Sequence, residues 1–81
     1  MIHVRLFSTL RKYYHEEPGK GPLQIRYLPG MHIKELMNIL GIHEEREVAI
    51  ISVNGKIKGQ DYHYSIQDGD RIDLYGFISG G

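Results

Sequence analysis

The 81-residue sequence carries ten basic and ten acidic residues, so its formal charge is zero, and it contains no cysteine. That balance removes the basic excess nucleic-acid binding calls for and the single-sign field of a solvating or disordered chain. Without cysteine there is no disulfide, thiolate metal site or cysteine nucleophile, so any sulfur chemistry must use another group. The length fits one domain, residues 1–81, near the lower size at which a single core suffices. No apolar run approaches the ~18 residues of a membrane span. The first residues lack a signal-peptide layout, so a cytoplasmic location is expected.

Ile2-His3-Val4-Arg5-Leu6-Phe7 alternates apolar and polar residues, the period of a strand with one buried face. Ile2, Val4 and Leu6 then face the core, and Phe7 puts an aromatic ring on the side that should be wet. Residues 8–14 read as a loop or a short helical turn. Glu16-Glu17-Pro18-Gly19-Lys20-Gly21-Pro22 reads as a solvent loop. Leu23 to Leu28 alternates again, with Leu23, Ile25 and Tyr27 on one face, and predicts a second strand antiparallel to the first.

The period then changes. Ile33, Leu36, Met37 and Leu40 form one helical stripe, with Gly30 as the N-cap. Gly41 and Ile42 suit a Schellman stop. Val48 to Val53 is nearly all apolar, as in a central strand covered on both faces. Asn54-Gly55 is a type I′ hairpin signal, followed by a short strand at Lys56-Ile57-Lys58. Residues 59–65 read as irregular, with Tyr62 and Tyr64 packing at an edge and the remaining tyrosines on the surface. Ile66 is a core anchor and Asp68-Gly69-Asp70 a turn. The last strand, Arg71 to Phe77, turns Ile72 and Leu74 inwards and Arg71, Asp73, Tyr75 and Phe77 outwards.

The order β, β, α, β, short piece, β predicts an α+β, ubiquitin-like β-grasp: a mixed sheet packed on one main helix. First and last strands lie side by side at the sheet centre. Phe7, Tyr75 and Phe77 then share the face away from the helix, an apolar patch of the kind that marks a partner surface. Ile57 is a further candidate contact and Arg11 a polar rim. The competing reading buries the aromatics under residues 56–64.

The sequence closes on Ser79-Gly80-Gly81. Glycine is about 7% of average composition, so a closing pair is roughly a one-in-200 event by chance. Glycine has no Cβ, so its backbone passes where no side chain fits. Residues 77–81 reach at most about 16–18 Å when extended. The tail reads either as a frayed end or as a carboxylate presented on a stalk.

Taken together, Val4-Arg5-Leu6-Phe7 with Leu10-Arg11, Leu36 to Gly41, Val53-Asn54-Gly55, Asp68-Gly69-Asp70-Arg71-Ile72 and Ser79-Gly80-Gly81 resemble the ThiS/MoaD family of sulfur carriers. The resemblance spans essentially the whole chain and is greater to the molybdopterin synthase small subunit (MoaD type) than to the thiamine carrier. Where many of those subunits carry prolines before the tail, this chain has Gly76-Phe77-Ile78. The resemblance implies a β-grasp fold and no catalysis by the chain itself. It implies a Gly81 carboxylate that is adenylated by an E1-like adenylyltransferase (MoeB/ThiF type) using ATP and magnesium. That carboxylate then becomes a thiocarboxylate, with sulfur from a donor such as a cysteine desulfurase. A larger synthase subunit (MoaE type) would receive the tail in molybdenum cofactor biosynthesis. Alternatives are another sulfur-containing product such as thiamine, a ubiquitin-like modifier joined to lysine through Gly81, and an interaction module with an idle tail.

Other signals are weaker. His43-Glu44-Glu45-Arg46-Glu47 is not a His-Glu-x-x-His zinc motif, and the other histidines lie on separate elements, so no metal site is expected. Gly19 and Gly21 lack the Gly-Lys-Ser/Thr phosphate cradle. Ser8-Thr9 has no recognisable partner base.

Overall fold

The computed structural model describes residues 1–13 and 22–77. Five strands form one sheet: β1 (Ile2–Phe7), β2 (Leu23–Ile25), β3 (Val48–Val53), β4 (Lys56–Ile57) and β5 (Arg71–Gly76), in the order β2-β1-β5-β3-β4. β1 pairs with β2 antiparallel and with β5 parallel; β3 pairs antiparallel with both β5 and β4. The first and last strands therefore form the sheet centre, as the β-grasp reading requires. Among the described residues no helix is long and apolar enough to cross a membrane.

One face of the sheet is closed by helix α1 (Ile33–Leu40), whose Ile33, Leu36, Met37 and Leu40 are buried. They pack with Ile2, Val4, Leu6, Ile51, Val53, Ile72 and Leu74 from the strands. Gly41 ends the helix in the left-handed conformation at φ 90°. Its N–H donates to Asn38 O, and the Ile42 N–H to Met37 O at 2.8 Å. Ile42 is itself fully buried, which supplies the apolar contact of this stop.

Several expectations need correction. The helix N-cap is His32, not Gly30, and it makes no side-chain cap bond. Gly30 sits in the preceding turn at φ 83°. The second strand ends at Ile25 rather than Leu28, although Tyr27 still packs against the core. β3 is an inner strand, paired on both sides, but it is not covered on both faces: Ile50 is 40% exposed. β3 also carries a register shift. Val48 pairs with Gly76 and Ile50 with Tyr75, so two residues of β3 span one of β5. The extra residue returns Val48 to the buried side. Tyr13, read as surface, is partly buried against the core, as are Tyr62 and Tyr64. Asp73 does lie on the outer face, but it is only 8% exposed.

Between β1 and β2 the chain makes a 3₁₀ turn, Ser8–Tyr13. Ser8 adopts φ 58°, which swings the chain back over the end of β5. Leu10 is thereby fully buried, a gain of about 1.5–3 kcal/mol for such a side chain.

Candidate functional site

Strand pairing writes the outer face as cross-strand rows, because directly opposed residues point the same way. The first row runs Phe7, Tyr75, Ile50 across β1, β5 and β3. The second runs Arg5, Asp73, Ser52, Ile57, reaching the β4 edge. His3 and Arg71 begin the third. Successive rows lie about 6.6–6.8 Å apart along the strands. The face is thus apolar at the end where β5 runs out towards Phe77 and polar at the other end.

Phe7 and Tyr75 stack with centroids 4.7 Å apart. The Arg5 guanidinium lies 5.5 Å from the Phe7 ring centroid. It is fixed there by two parallel bonds to Asp73, Nε to Oδ1 and Nη2 to Oδ2, each 3.0 Å. A bidentate pair of this kind has a defined orientation as well as energy. It removes the cost of burying Asp73 among apolar neighbours.

The 3₁₀ turn supports the apolar end of this face. A Cβ at Gly76 would overlap Thr9 Oγ1 and lie 3.2 Å from the Leu10 backbone nitrogen. Only glycine lets the turn sit this close to β5. At its far end the turn is tied to a second 3₁₀ turn, Glu45–Glu47. Tyr13 Oη donates to Glu47 Oε1 at 2.6 Å, and Lys12 Nζ is 3.4 Å from the same oxygen. The Tyr13 hydroxyl, then Lys12, hold the Glu47 carboxyl below the ordinary range against a smaller opposing effect of burial. The same hydrogen bond, with burial and the Glu47 and Glu44 charges behind it, pushes the Tyr13 phenol up.

A second polar junction lies at the opposite end of β5. Asp70, 7% exposed, accepts from Asn54 Nδ2 at 2.9 Å, Gln67 N–H at 2.8 Å and Tyr64 Oη at 3.3 Å. Asn54 Oδ1 accepts from the Arg71 N–H at 2.9 Å. The 54–55 and 68–70 turns are therefore one structure.

The structure brings Phe7 and Tyr75 into contact and sets Ile57 on the edge of the same face. Phe77 follows one residue beyond β5 and is half exposed. Arg11 is exposed on the 3₁₀ turn, and among the described residues no hydrogen bond or ion pair joins it to the aromatic pair. Ser79, Gly80 and Gly81 lie outside the described residues. Ile50 was missed: it alternates with the buried Ile51, but an apolar run from Val48 to Val53 does not disclose which of its residues face out. Among the described residues, no three His, Asp or Glu side chains group as metal ligands would.

A family model described as Mut7-C ubiquitin matches residues 1–79, from β1 through β5 and three residues beyond. No curated protein and no solved structure gives a match.

Proposed function

The chain belongs to the Mut7-C ubiquitin family, a ubiquitin-like family, and on that premise we propose that it is a carrier that docks through the outer face of its sheet. The Phe7, Tyr75, Ile50 row seats on a partner enzyme, and the segment after β5 delivers the Gly81 carboxylate into that enzyme's active site. One observation carries this reading. The apolar row lies at the end of the sheet from which the chain runs on to Ser79-Gly80-Gly81.

The chain supplies a carboxylate and a surface, and the partner supplies catalysis. In an E1-like adenylyltransferase a Gly81 carboxylate oxygen attacks the α-phosphorus of magnesium-bound ATP, and pyrophosphate leaves. Hydrosulfide then attacks the acyl carbon of the adenylate, and AMP leaves. A cysteine desulfurase persulfide can deliver the same sulfur, provided a thiol reduces the acyl disulfide that results. The thiocarboxylate donates its sulfur to a precursor held by another protein, most simply the pterin precursor in a larger synthase subunit. Gly80 and Gly81 suit a channel that admits backbone only.

Intact mass tests this directly. Incubation with an E1-like adenylyltransferase, ATP, magnesium and sulfide should add about 16 Da at the C-terminus. A free Gly81 carboxylate that never gains that mass, with a partner that adenylates its own substrate, removes the carrier reading.

A second reading, a docking module without acyl chemistry, is favoured by the family match ending at residue 79, before the diglycine. Under it, deleting residues 80–81 leaves function intact. Under the carrier reading the same deletion abolishes it.

A further inference from the structure

Asparagine followed by glycine has a chemistry of its own. The glycine amide nitrogen, unshielded by a Cβ, attacks the asparagine side-chain carbonyl carbon, and ammonia leaves. Water opens the resulting succinimide at either carbonyl, giving aspartate or isoaspartate. The net change is amide plus water to acid plus ammonia, with no oxidant or cofactor. We propose that Asn54 is a site of spontaneous deamidation that the fold restrains, and whose products unpin the β3–β4 hairpin from the start of β5.

The restraint is geometric. Both ends of the Asn54 amide are tied: Nδ2 donates to Asp70 Oδ1, and Oδ1 accepts from the Arg71 N–H, each at 2.9 Å. The backbone of Asn54 and Gly55 is held at φ 51° and 84° in the hairpin turn. The side-chain carbonyl carbon cannot swing onto the Gly55 nitrogen until both bonds open. Asp70 cannot follow it, because Gln67 N–H and Tyr64 Oη hold its other oxygen.

The products do not fit the same place. Aspartate at 54 replaces a donor by an acceptor, facing a buried carboxylate at hydrogen-bond distance. Like charges that close destabilise the pair, and an acceptor left without a donor carries its full desolvation cost. Isoaspartate adds a methylene to the backbone of a two-residue loop whose flanks pair Val53 with Lys56. That loop length sets the register, so the product shifts or frays β4 and takes Ile57 off the outer face. The modification thus acts on the sheet edge beside the docking row, whatever the partner of that row.

The test uses the full chain. Samples are held at mildly alkaline pH, in buffer and in urea, and the peptide spanning residues 54–55 is followed by mass and by isoaspartate detection. Conversion should occur in urea and be at least about tenfold slower in buffer, since it waits on local opening. Equal rates would overturn the restraint, and no conversion in urea would overturn the site. Asn54→Asp should melt below wild type at neutral pH, with the gap narrowing in acid as one carboxyl takes a proton. Asn54→Ser, which loses the donor without adding a charge, should show no such narrowing. The other ionisable groups near this junction include Arg71, Tyr64, Lys58 over the Tyr64 ring, His3 opposite Arg71, and Asp68 with the N-terminal ammonium. The readout is each variant's difference from wild type. An Asn54→Asp chain as stable as wild type at neutral pH overturns the proposed effect on the hairpin.

Discussion

Phe7 and Tyr75 are register partners in parallel strands, and their ring planes lie 11° from parallel with centroids 4.7 Å apart. That spacing is close to the separation of adjacent strands, about 4.7–4.9 Å. The rings therefore stack because the strands do. Each shields one face of the other and leaves a flat aromatic edge outward.

Phe7→Ala should separate docking from folding. Losing one member of a half-buried aromatic pair should cost about 0.5–1.5 kcal/mol of stability beyond the area lost. Loss of an aromatic anchor from an interface should cost about 2 kcal/mol or more of binding. Thermal unfolding and titration against the partner measure the two. A folded Phe7→Ala protein with unchanged affinity would mean that the partner docks elsewhere.

Ile50→Asp tests the same face from β3. Ile50 is partly exposed, so the substitution should leave the fold in place while it places a charge in the apolar row. Partner binding should fall at least as far as with Phe7→Ala. Unimpaired binding by a folded Ile50→Asp chain would confine the contact to β1 and β5.

Gly76→Ala should destabilise the domain by about 1–3 kcal/mol, the usual cost of overpacking. The new methyl meets Thr9 Oγ1 and Leu10. Adding Thr9→Ala removes the nearest atom but not the Leu10 backbone, so rescue should be partial. Additive losses in denaturant midpoints would show that the turn does not rest on Gly76.

The Tyr13–Glu47 contact should have a bounded pH window. Glu47 has a lowered folded pKa, so its contribution is present above the ordinary carboxyl range and is lost as pH falls through the folded value. Tyr13 has a raised one, so its contribution is present below the ordinary phenol range and is lost as pH rises through the folded value. Both groups keep some contact with solvent, so the amplitude should be small. Tyr13→Phe should move the Glu47 carboxyl up in an NMR titration. An unmoved carboxyl would assign its depression to Lys12 instead.

For Gly81 the expected effect is on chemistry alone. A misplacement of about 1 Å can cost about 100-fold in rate. Gly81→Ala, or an alanine added after Gly81, should leave the melting temperature unchanged and suppress thiocarboxylate formation by at least that order. Sulfur gained at the end of the extended chain, without trimming, would sink the carrier reading.

Much of the sheet was legible because its code is local. Strict alternation in residues 2–7 and 71–75 sets their inner and outer faces, and the stripe at Ile33, Leu36, Met37 and Leu40 with Gly41 sets the helix. The parity that puts Phe7 beside Tyr75 follows once the strands pair. What was not legible depends on partners distant in sequence. Asp73 looks solvent-facing until Arg5 is found against it, and Asp70 looks like a turn residue until Asn54, Tyr64 and Gln67 converge on it. An unbroken apolar run carries no alternation to read, so the outward Ile50 went unrecognised. Gly76 reads as a weak point in a strand. Its necessity is set by Thr9 and Leu10, which arrive from the other end of the chain.

The pairing of β1 with β5 joins residues 68 positions apart in sequence. Its consequence is temporal. The innermost strand of the sheet is the last of the five to leave the ribosome, and until it arrives β1 and β3 have no neighbour between them. The hairpin edges and α1 can form early, but their apolar faces stay uncovered while translation proceeds, at about 5–20 residues per second. Closure of so long a loop makes this topology slow to fold for its size. A nascent chain stalled anywhere before residue 71 is then a client for chaperones, whereas one that has cleared β5 is a finished domain.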